Sequence, residues 1–140
     1  MELLKQEIYH HDTDIEVTHK INGIELDNWI NHLKYINKEL SNLIGLYREG
    51  LISEFEDESV LQNFQKKNSE NNNLLNALQK YMSSRADIIE CEDIQCDMTY
   101  ISEHESYRRS YLYNLDKYRR LKDEFFSKVQ GKFTLLNTTS

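Results

Sequence analysis

Apolar residues recur every three to four positions along three successive stretches of the chain, which is the spacing of one face of an α-helix. The stretches cover residues 14–50, 54–90 and 94–131, and none of the 140 residues is a proline that would interrupt a helix. The pattern therefore predicts three long helices. Because their lengths are nearly equal, we expect an all-α fold, a long antiparallel three-helix bundle of the coiled-coil type that runs up, down and up.

Residues that commonly cap helices stand at the predicted helix starts. Thr13 is followed three residues later by Glu16, which is the pattern of a capping box, and Ser53 and Glu56 repeat it. Asp93 has the type of side chain expected at the start of the third helix. These caps support three starts that are evenly spaced along the chain.

The two ends of the chain are predicted to lie outside the helices. Residues 1–12 would form a loose N-terminal arm or a short extra helix. Gly131 is a natural C-terminal cap for the third helix, so residues 132–140 are expected to be a frayed tail. The bundle itself would then occupy residues 13–131.

The start of the first helix has an alternative. Asn22-Gly23 lies between isoleucine-containing stretches and is a common hairpin turn, so residues 15–26 could form two short strands with the helix starting at Asp27. A lone hairpin is only marginally stable in water, so the continuous helix is the preferred prediction.

The middle of the second helix is strongly polar. The run KKNSENNN covers residues 66–73, and Asn68 and Asn71 stand where the apolar stripe should continue. We therefore expect this part of the helix to be poorly packed and to kink, fray or meet water rather than the core.

The net charge of −7 argues against nucleic acid as a partner, because a protein that binds a duplex needs a basic surface. Residues 106–132 nevertheless carry eight Lys or Arg against three Asp or Glu, a local charge of +5 that leaves −12 for the remainder. Attraction between a basic third helix and two acidic helices explains this most simply. An RNA-binding third helix is the alternative, and it would use Arg108, Arg109, Arg119, Arg120 and Lys122.

The two cysteines, Cys91 and Cys96, have a spacing that matches neither a redox motif nor half of a zinc ribbon, so they are structural thiols or a loop disulfide. The first residues are polar and charged, and no run of about 18 apolar residues occurs. We therefore expect a soluble cytoplasmic protein without a membrane partner.

Histidines and carboxylates are predicted to meet at one end of an up-down-up bundle. That end would hold a candidate set of metal ligands: His19, His32, His104 and Glu105. Bundle proteins use such side chains on facing helices to bind iron or zinc. However, a di-iron site needs two Glu-x-x-His pairs and this chain has one, Glu16 with His19, so a hydrogen-bonded polar layer is the competing interpretation. Trp29 and Arg108 fall at similar heights, which predicts a cation–π stack, or else an Arg108–Glu105 ion pair.

The segment from Trp29 to Leu40 reads WINHLKYINKEL. It is similar to a W-L-N-E-L-x-F-Y-x-x-E-L pattern in a family of uncharacterised bacterial long-helix bundle proteins, which this chain therefore resembles. The segments from His104 to Arg108 and from Leu121 to Phe125 are similar to its H-E-x-x-R and L-K-x-E-F patterns, and Phe64-Gln65 would match a pair in the middle helix. The resemblance covers about residues 25–130.

This resemblance implies three long helices but no activity. The family's further histidines would fall at Leu26 and Arg85 of this chain, and a glutamate would fall at Ala86. If those residues form a metal site in the family, this chain retains only His104 and Glu105 of it. The resemblance therefore supports the bundle and weakens the metal alternative.

The sequence contains none of the glycine-rich phosphate loops or the nucleophile motif of common enzyme classes, and neither cysteine has an identifiable histidine partner. We therefore expect a non-enzymatic interaction or scaffold protein without a cofactor. Three helices make a thin core, so a second copy or another protein is expected to cover apolar surface. The predicted contact is the tyrosine-rich face of the third helix: Tyr107, Tyr111 and Tyr118, with Arg108.

Overall fold

The computed structural model describes residues 7–9, 12–48 and 58–138 of the chain. Three α-helices dominate this part: α1 spans Asp14–Arg48, α2 spans Glu58–Ser84 and α3 spans Ile94–Thr138. A 3-10 helix, Arg85–Glu90, follows α2 directly. No strand occurs among these residues and the three helices pack together, so the predicted all-α class is confirmed.

The α1 helix begins where the sequence predicts it. The backbone N–H of Glu16 donates to Oγ1 of Thr13 over 3.2 Å, which is the expected N-terminal cap. The helix runs without a break through Asn22-Gly23, so the alternative hairpin over residues 15–26 is wrong. His19, Asn22 and Leu26 are all buried, and this spacing of three and four residues places one helical face against the other helices.

The second predicted helix, 54–90, ends earlier than expected. Its start and the Ser53–Glu56 cap lie outside the described residues, and the α-helix ends at Ser84. There Oγ of Ser84 donates to the carbonyl oxygen of Tyr81 over 2.8 Å, and such side-chain bonds compete with the regular helical bonds. None of the six residues that follow as a 3-10 helix is buried, so no packing prolongs the α-helix.

The third helix is longer than the predicted 94–131. Asp93 caps its start as expected, because the backbone N–H of Cys96 donates to Oδ1 of Asp93 over 2.8 Å. However, α3 continues through Gly131 to Thr138, so Gly131 is not its cap and residues 132–138 are helical rather than frayed. The reason is that Gly131 does not adopt the positive φ of a glycine cap.

The hydrophobic core lies between the three helices and is built mainly from α1. Leu33, Leu40, Phe64 and Leu78 are fully excluded from solvent. Along α1, buried apolar residues alternate at spacings of three and four: Leu26, Trp29, Leu33, Ile36, Leu40 and Leu43. Phe64 of α2 meets Phe125 of α3 edge to face, with ring centroids 5.2 Å apart. Within the described residues, no helix combines the length and apolar character that crossing a membrane requires.

Candidate functional site

A chain of hydrogen-bonded polar side chains crosses all three helices next to the 3-10 helix. His104 of α3 is fully buried, and its Nδ1 lies 2.7 Å from the hydroxyl of Tyr81 on α2. Its Nε2 lies 2.8 Å from Oε1 of Glu25 on α1. Nη1 of Arg85, the first residue of the 3-10 helix, lies 3.1 Å from the same Tyr81 hydroxyl. We call Glu25, Tyr81, Arg85, His104 and Arg108 the buried network.

The protonation states of the buried network are mutually consistent. Burial lowers the pKa of His104 and outweighs the opposing effect of Glu25. For Glu25, burial acts to raise the pKa, but hydrogen bonds from Arg108 and His104 outweigh it, so the pKa of this carboxyl is below its ordinary value. A neutral His104 that donates from Nε2 to Glu25 therefore accepts at Nδ1 from Tyr81, whose own oxygen accepts from Arg85.

Aromatic stacking holds the buried histidine in place. The rings of Trp29 and His104 stack with centroids 4.8 Å apart and an interplanar angle of 18°. The guanidinium of Arg108 lies 5.9 Å from the Trp29 ring centroid, so the predicted cation–π contact is present. Arg108 also forms ion pairs with Glu25 and with Glu105, the second of which was expected from the sequence.

The structure gives each predicted metal ligand a different partner. His19 is bonded to Asp97, with Nε2 2.8 Å from Oδ1, whereas Nδ1 of His32 lies 2.5 Å from the hydroxyl of Tyr111. His104 belongs to the buried network, and Glu105 pairs with Arg108. Among the described residues, no three His, Cys, Asp or Glu side chains are grouped as a metal site would require.

One atom of this set has no partner. Nδ1 of His19 is buried and accepts or donates no hydrogen bond within the described structure. The backbone carbonyl of the same residue accepts from Nη2 of Arg85 over 2.6 Å, which ties the start of α1 to the 3-10 helix. Tyr81 was not among the candidate residues, and only its spacing of four from Arg85 could have suggested a shared role.

A second polar layer lies in the middle of the helices, where poor packing was predicted. Asn71 is fully buried, and its Nδ2 donates to the carbonyl of Leu33 over 2.9 Å and to Oδ1 of Asn37 over 2.6 Å. Its Oδ1 accepts from Nδ2 of Asn114 over 3.1 Å. The expectation that Asn71 meets water is therefore wrong, because amides from the other two helices satisfy it inside the core.

Lys67 completes this layer from one turn earlier on α2. Its ammonium is almost fully buried and donates to Oδ1 of Asn114 over 2.7 Å, with Glu70 3.6 Å away. Burial lowers the pKa of Lys67, and Glu70 opposes that shift. A third polar group joins α1 to α3, where Glu39 accepts from Nζ of Lys122 over 2.6 Å and from the hydroxyl of Tyr118.

The predicted interaction face of the third helix is an internal face. Tyr111 and Tyr118 are only 8% and 3% exposed, and Tyr107 stacks on Tyr81 with centroids 4.5 Å apart. Arg108 is held by the ion pairs described above. These side chains fill the contact between α3 and the other two helices, so the surface that they were expected to offer to a partner is covered by the chain itself.

The basic residues proposed for RNA binding are divided between two surroundings. Arg108 and Lys122 are held internally by Glu25 and Glu39. Arg109, Arg119 and Arg120 are exposed on the outside of α3. The exposed Leu112 and Tyr113 lie among them. We call Arg109, Leu112, Tyr113, Arg119 and Arg120 the basic face.

An acidic surface with exposed apolar residues occurs where the 3-10 helix is followed by α3. Ile89, Ile94 and Met98 are 91%, 66% and 53% exposed. Exposed carboxylates surround them, namely Asp87, Glu90 and Glu92. A disulfide between Cys91 and Cys96 closes this turn, which agrees with one of the two alternatives drawn from the spacing. We call the three apolar and three acidic residues the connector surface.

Comparisons with protein-family models, with curated proteins and with solved structures found no match to this chain. Its function must therefore be inferred from the two polar layers inside the helices and the two charged apolar surfaces outside them. The resemblance of the Trp29–Leu40 segment to a bacterial family stays a prediction.

Proposed function

We propose that the protein is a non-enzymatic helical interaction protein that associates with further copies of itself. The observation that carries the proposal is the exposure of three large apolar side chains, Ile89, Ile94 and Met98, on the connector surface. Exposed apolar clusters rimmed by charged residues mark interaction sites on folded proteins. A scaffold role, in a pathway still to be identified, follows from such a surface on a rigid helical frame.

The buried network favours a structural role over catalysis. Both ring nitrogens of His104 and the hydroxyl of Tyr81 are engaged in hydrogen bonds within the chain. A catalytic acid or base must reach the proton of a substrate, whereas His104 is closed off between Trp29 and the other helices. Its chemistry therefore serves to position three helices against one another.

We infer that the helices run up, down and up, as expected for an antiparallel bundle with coiled-coil packing. Support comes from the order of the contacts between α1 and α3, because the residue numbers increase along both helices from one contact to the next. These contacts are His19–Asp97, Glu25–His104, His32–Tyr111 and Glu39–Lys122. Between α2 and α3 the residue numbers fall along α2 as they rise along α3. These contacts are Tyr81–His104, Lys67–Asn114 and Phe64–Phe125.

The test of self-association is the mass in solution. Size-exclusion chromatography with light scattering, from low to high micromolar protein, should show a mass that rises above 16.8 kDa with concentration. The rise should be smaller at high salt, because charges border the exposed apolar groups. A mass that stays at that of one chain up to high micromolar concentration would contradict the proposal.

The alternative function is a metal-binding bundle, and the specific observation in its favour is the unpartnered Nδ1 of His19. Its ligands would be drawn from His19, His32, His104 and Glu105, with iron or zinc as the metal. Elemental analysis of protein purified without a histidine tag tests this alternative. One equivalent of iron or zinc per chain would support it, and less than a tenth of an equivalent would dismiss it.

The cytoplasmic location also stays a proposal, and the disulfide makes it testable. Disulfides persist mainly in oxidising compartments and are rare in the cytosol of mesophiles. If the protein is cytoplasmic, Cys91 and Cys96 should be largely reduced in cells that are lysed under alkylating conditions. A fully oxidised pair would place the protein outside the cytosol.

A further inference from the structure

We propose that the connector surface of one copy docks on the basic face of a second copy. This inference rests on the proposed self-association and names the two surfaces that carry it. The contact joins two different patches, so it is heterologous: the first copy keeps its basic face and the second keeps its connector surface available for further copies.

The connector surface has the composition of a docking site. Ile94 and Met98 are one turn apart on α3, and the Cys91–Cys96 disulfide ties the end of the 3-10 helix, which carries Ile89, to the same turn. Asp87, Glu90 and Glu92 are exposed and form no ion pair within the described part of the chain. A partner must therefore offer apolar contact together with positive charge.

The basic face offers both of these properties. Arg109, Leu112, Tyr113 and Arg120 recur at intervals of three, four and seven residues, so they form one stripe on the outside of α3. Leu112 and Tyr113 are more than half exposed. Arg119 flanks the stripe, seven residues after Leu112. Asp116 also lies on the stripe and pairs with Arg120, with Oδ2 3.1 Å from Nη2, so Arg109 and Arg119 are the arginines of this face without that internal partner. The positive charges would meet the three carboxylates of the connector surface, and the apolar groups would meet its isoleucines.

The two surfaces cannot meet within one copy. Ile94 and Leu112 lie on the same continuous helix, and eighteen residues of α-helix separate them by about 27 Å. The complementary patches therefore have to come from different copies of the chain. RNA or another polyanion would occupy the basic face alone and would leave the connector surface unused.

Two charge-reversed variants test the pairing. Glu90→Lys with Glu92→Lys blocks the connector surface, and Arg119→Glu with Arg120→Glu blocks the basic face. All four residues are exposed, so each variant should keep its helical circular dichroism. Each variant alone should lose at least about tenfold in association constant, because like charges then face each other.

Mixing distinguishes a heterologous contact from any other. The connector variant keeps a native basic face and the basic-face variant keeps a native connector surface, so an equal mixture should regain association. The two reversed surfaces that remain are also complementary to each other. A chain that carries all four reversals should regain association. The matched control is Lys66→Glu with Lys80→Glu on the exposed side of α2. It changes the net charge by as much as the basic-face variant does and should associate as the wild type does.

Each contrary result has a distinct meaning. A wild-type chain that remains a monomer overturns both the self-association and this inference. A wild-type oligomer that the two charge-reversed variants leave unchanged, or a mixture that stays monomeric, overturns only the inference and leaves self-association standing. Strong binding of wild type to a generic RNA, lost with Arg119→Glu and Arg120→Glu, would assign the basic face to nucleic acid instead.

Discussion

Asn71 of α2 and Asn114 of α3 are hydrogen-bonded inside the core, with Nδ2 of Asn114 3.1 Å from Oδ1 of Asn71. Asn71 also donates to the carbonyl of Leu33 on α1, so one amide holds all three helices. Sliding any helix by one turn would leave these polar groups without hydrogen-bond partners among apolar side chains. Because unpaired buried polar groups are costly, we infer that this layer fixes the axial register of the bundle.

Removing the Asn71 amide should therefore destabilise the fold. We expect Asn71→Ala to lower the free energy of unfolding by about 2 kcal/mol, because Nδ2 of the buried Asn114 loses the acceptor that Asn71 provides. The matched control is Asn73→Ala, two residues away and exposed, which should change stability by less than about 0.5 kcal/mol. Urea denaturation followed by circular dichroism measures both. Equal effects of the two substitutions would show that the layer contributes nothing.

The buried network predicts a loss of stability on mild acidification. The charged or titratable groups that face His104 are Glu25, Arg108, Tyr81 and Arg85, and burial lowers the pKa of His104 below its usual 6.5. The unfolded chain then binds more protons than the folded one just below that pH. The contribution of the neutral His104 to the free energy of unfolding is fully present above about pH 6.5 and is lost as the pH falls toward the lowered pKa.

The measurement is the free energy of unfolding of wild type and His104→Gln at about pH 7, 6 and 5, the range that brackets the ordinary histidine pKa. The wild type should lose stability across this range, and the variant should be less stable at neutral pH but show a shallower dependence. Burial also lowers the pKa of His32, so His32→Gln is the companion variant. Parallel pH profiles for wild type and His104→Gln would contradict this prediction.

The helices could be predicted because their signals are local. The apolar spacing, the absence of proline and the caps at Thr13 and Asp93 all act within a few residues, and the structure places α1 and α3 starts where these signals stand. The predicted ends of the second and third helices were wrong, because local signals compete there. The α2 helix gives way to the 3-10 helix where the side chain of Ser84 bonds to the carbonyl of Tyr81, and Gly131 adopts an ordinary helical backbone that its residue type did not require.

The buried network was only partly predictable, because the residues that bond to His104 are distant from it in the sequence. The sequence singled out His104, Trp29 and Arg108 by residue type, but Glu25 and Tyr81 are 79 and 23 residues away from His104 and become visible only once the register is known. The tyrosines of α3 were also singled out by residue type, but as a surface for a partner. Spacing alone does not tell whether the chain's own helices or a second copy cover that surface.

Gly131 gives a direct test of where α3 ends. A Cβ added there meets no atom within 4 Å, and the residue is helical. We therefore expect Gly131→Ala to raise the free energy of unfolding by up to about 1 kcal/mol, since alanine favours helix. Gly45→Ala in α1 has equally open surroundings and should act in the same direction. A loss of stability at Gly131 alone would show that this glycine caps the helix in solution.

The Cys91–Cys96 disulfide should stabilise the fold and preserve the connector surface. The two residues are five positions apart, and closing so short a loop in the unfolded chain contributes about 2 kcal/mol. Reduction with a dithiol should lower the free energy of unfolding by that amount. The helical circular dichroism should persist, because the cap of α3 at Asp93 does not depend on the bond.

The same reduction should weaken self-association, because Ile89 and Ile94 would no longer be tied together across the turn. The double variant Cys91→Ser with Cys96→Ser is the control. It should match the reduced wild type in stability and in mass by light scattering, and a dithiol should not change it further. If reduced and oxidised wild type associate equally, the disulfide stabilises the turn without shaping the docking surface, and the isoleucines must be positioned by the helices alone.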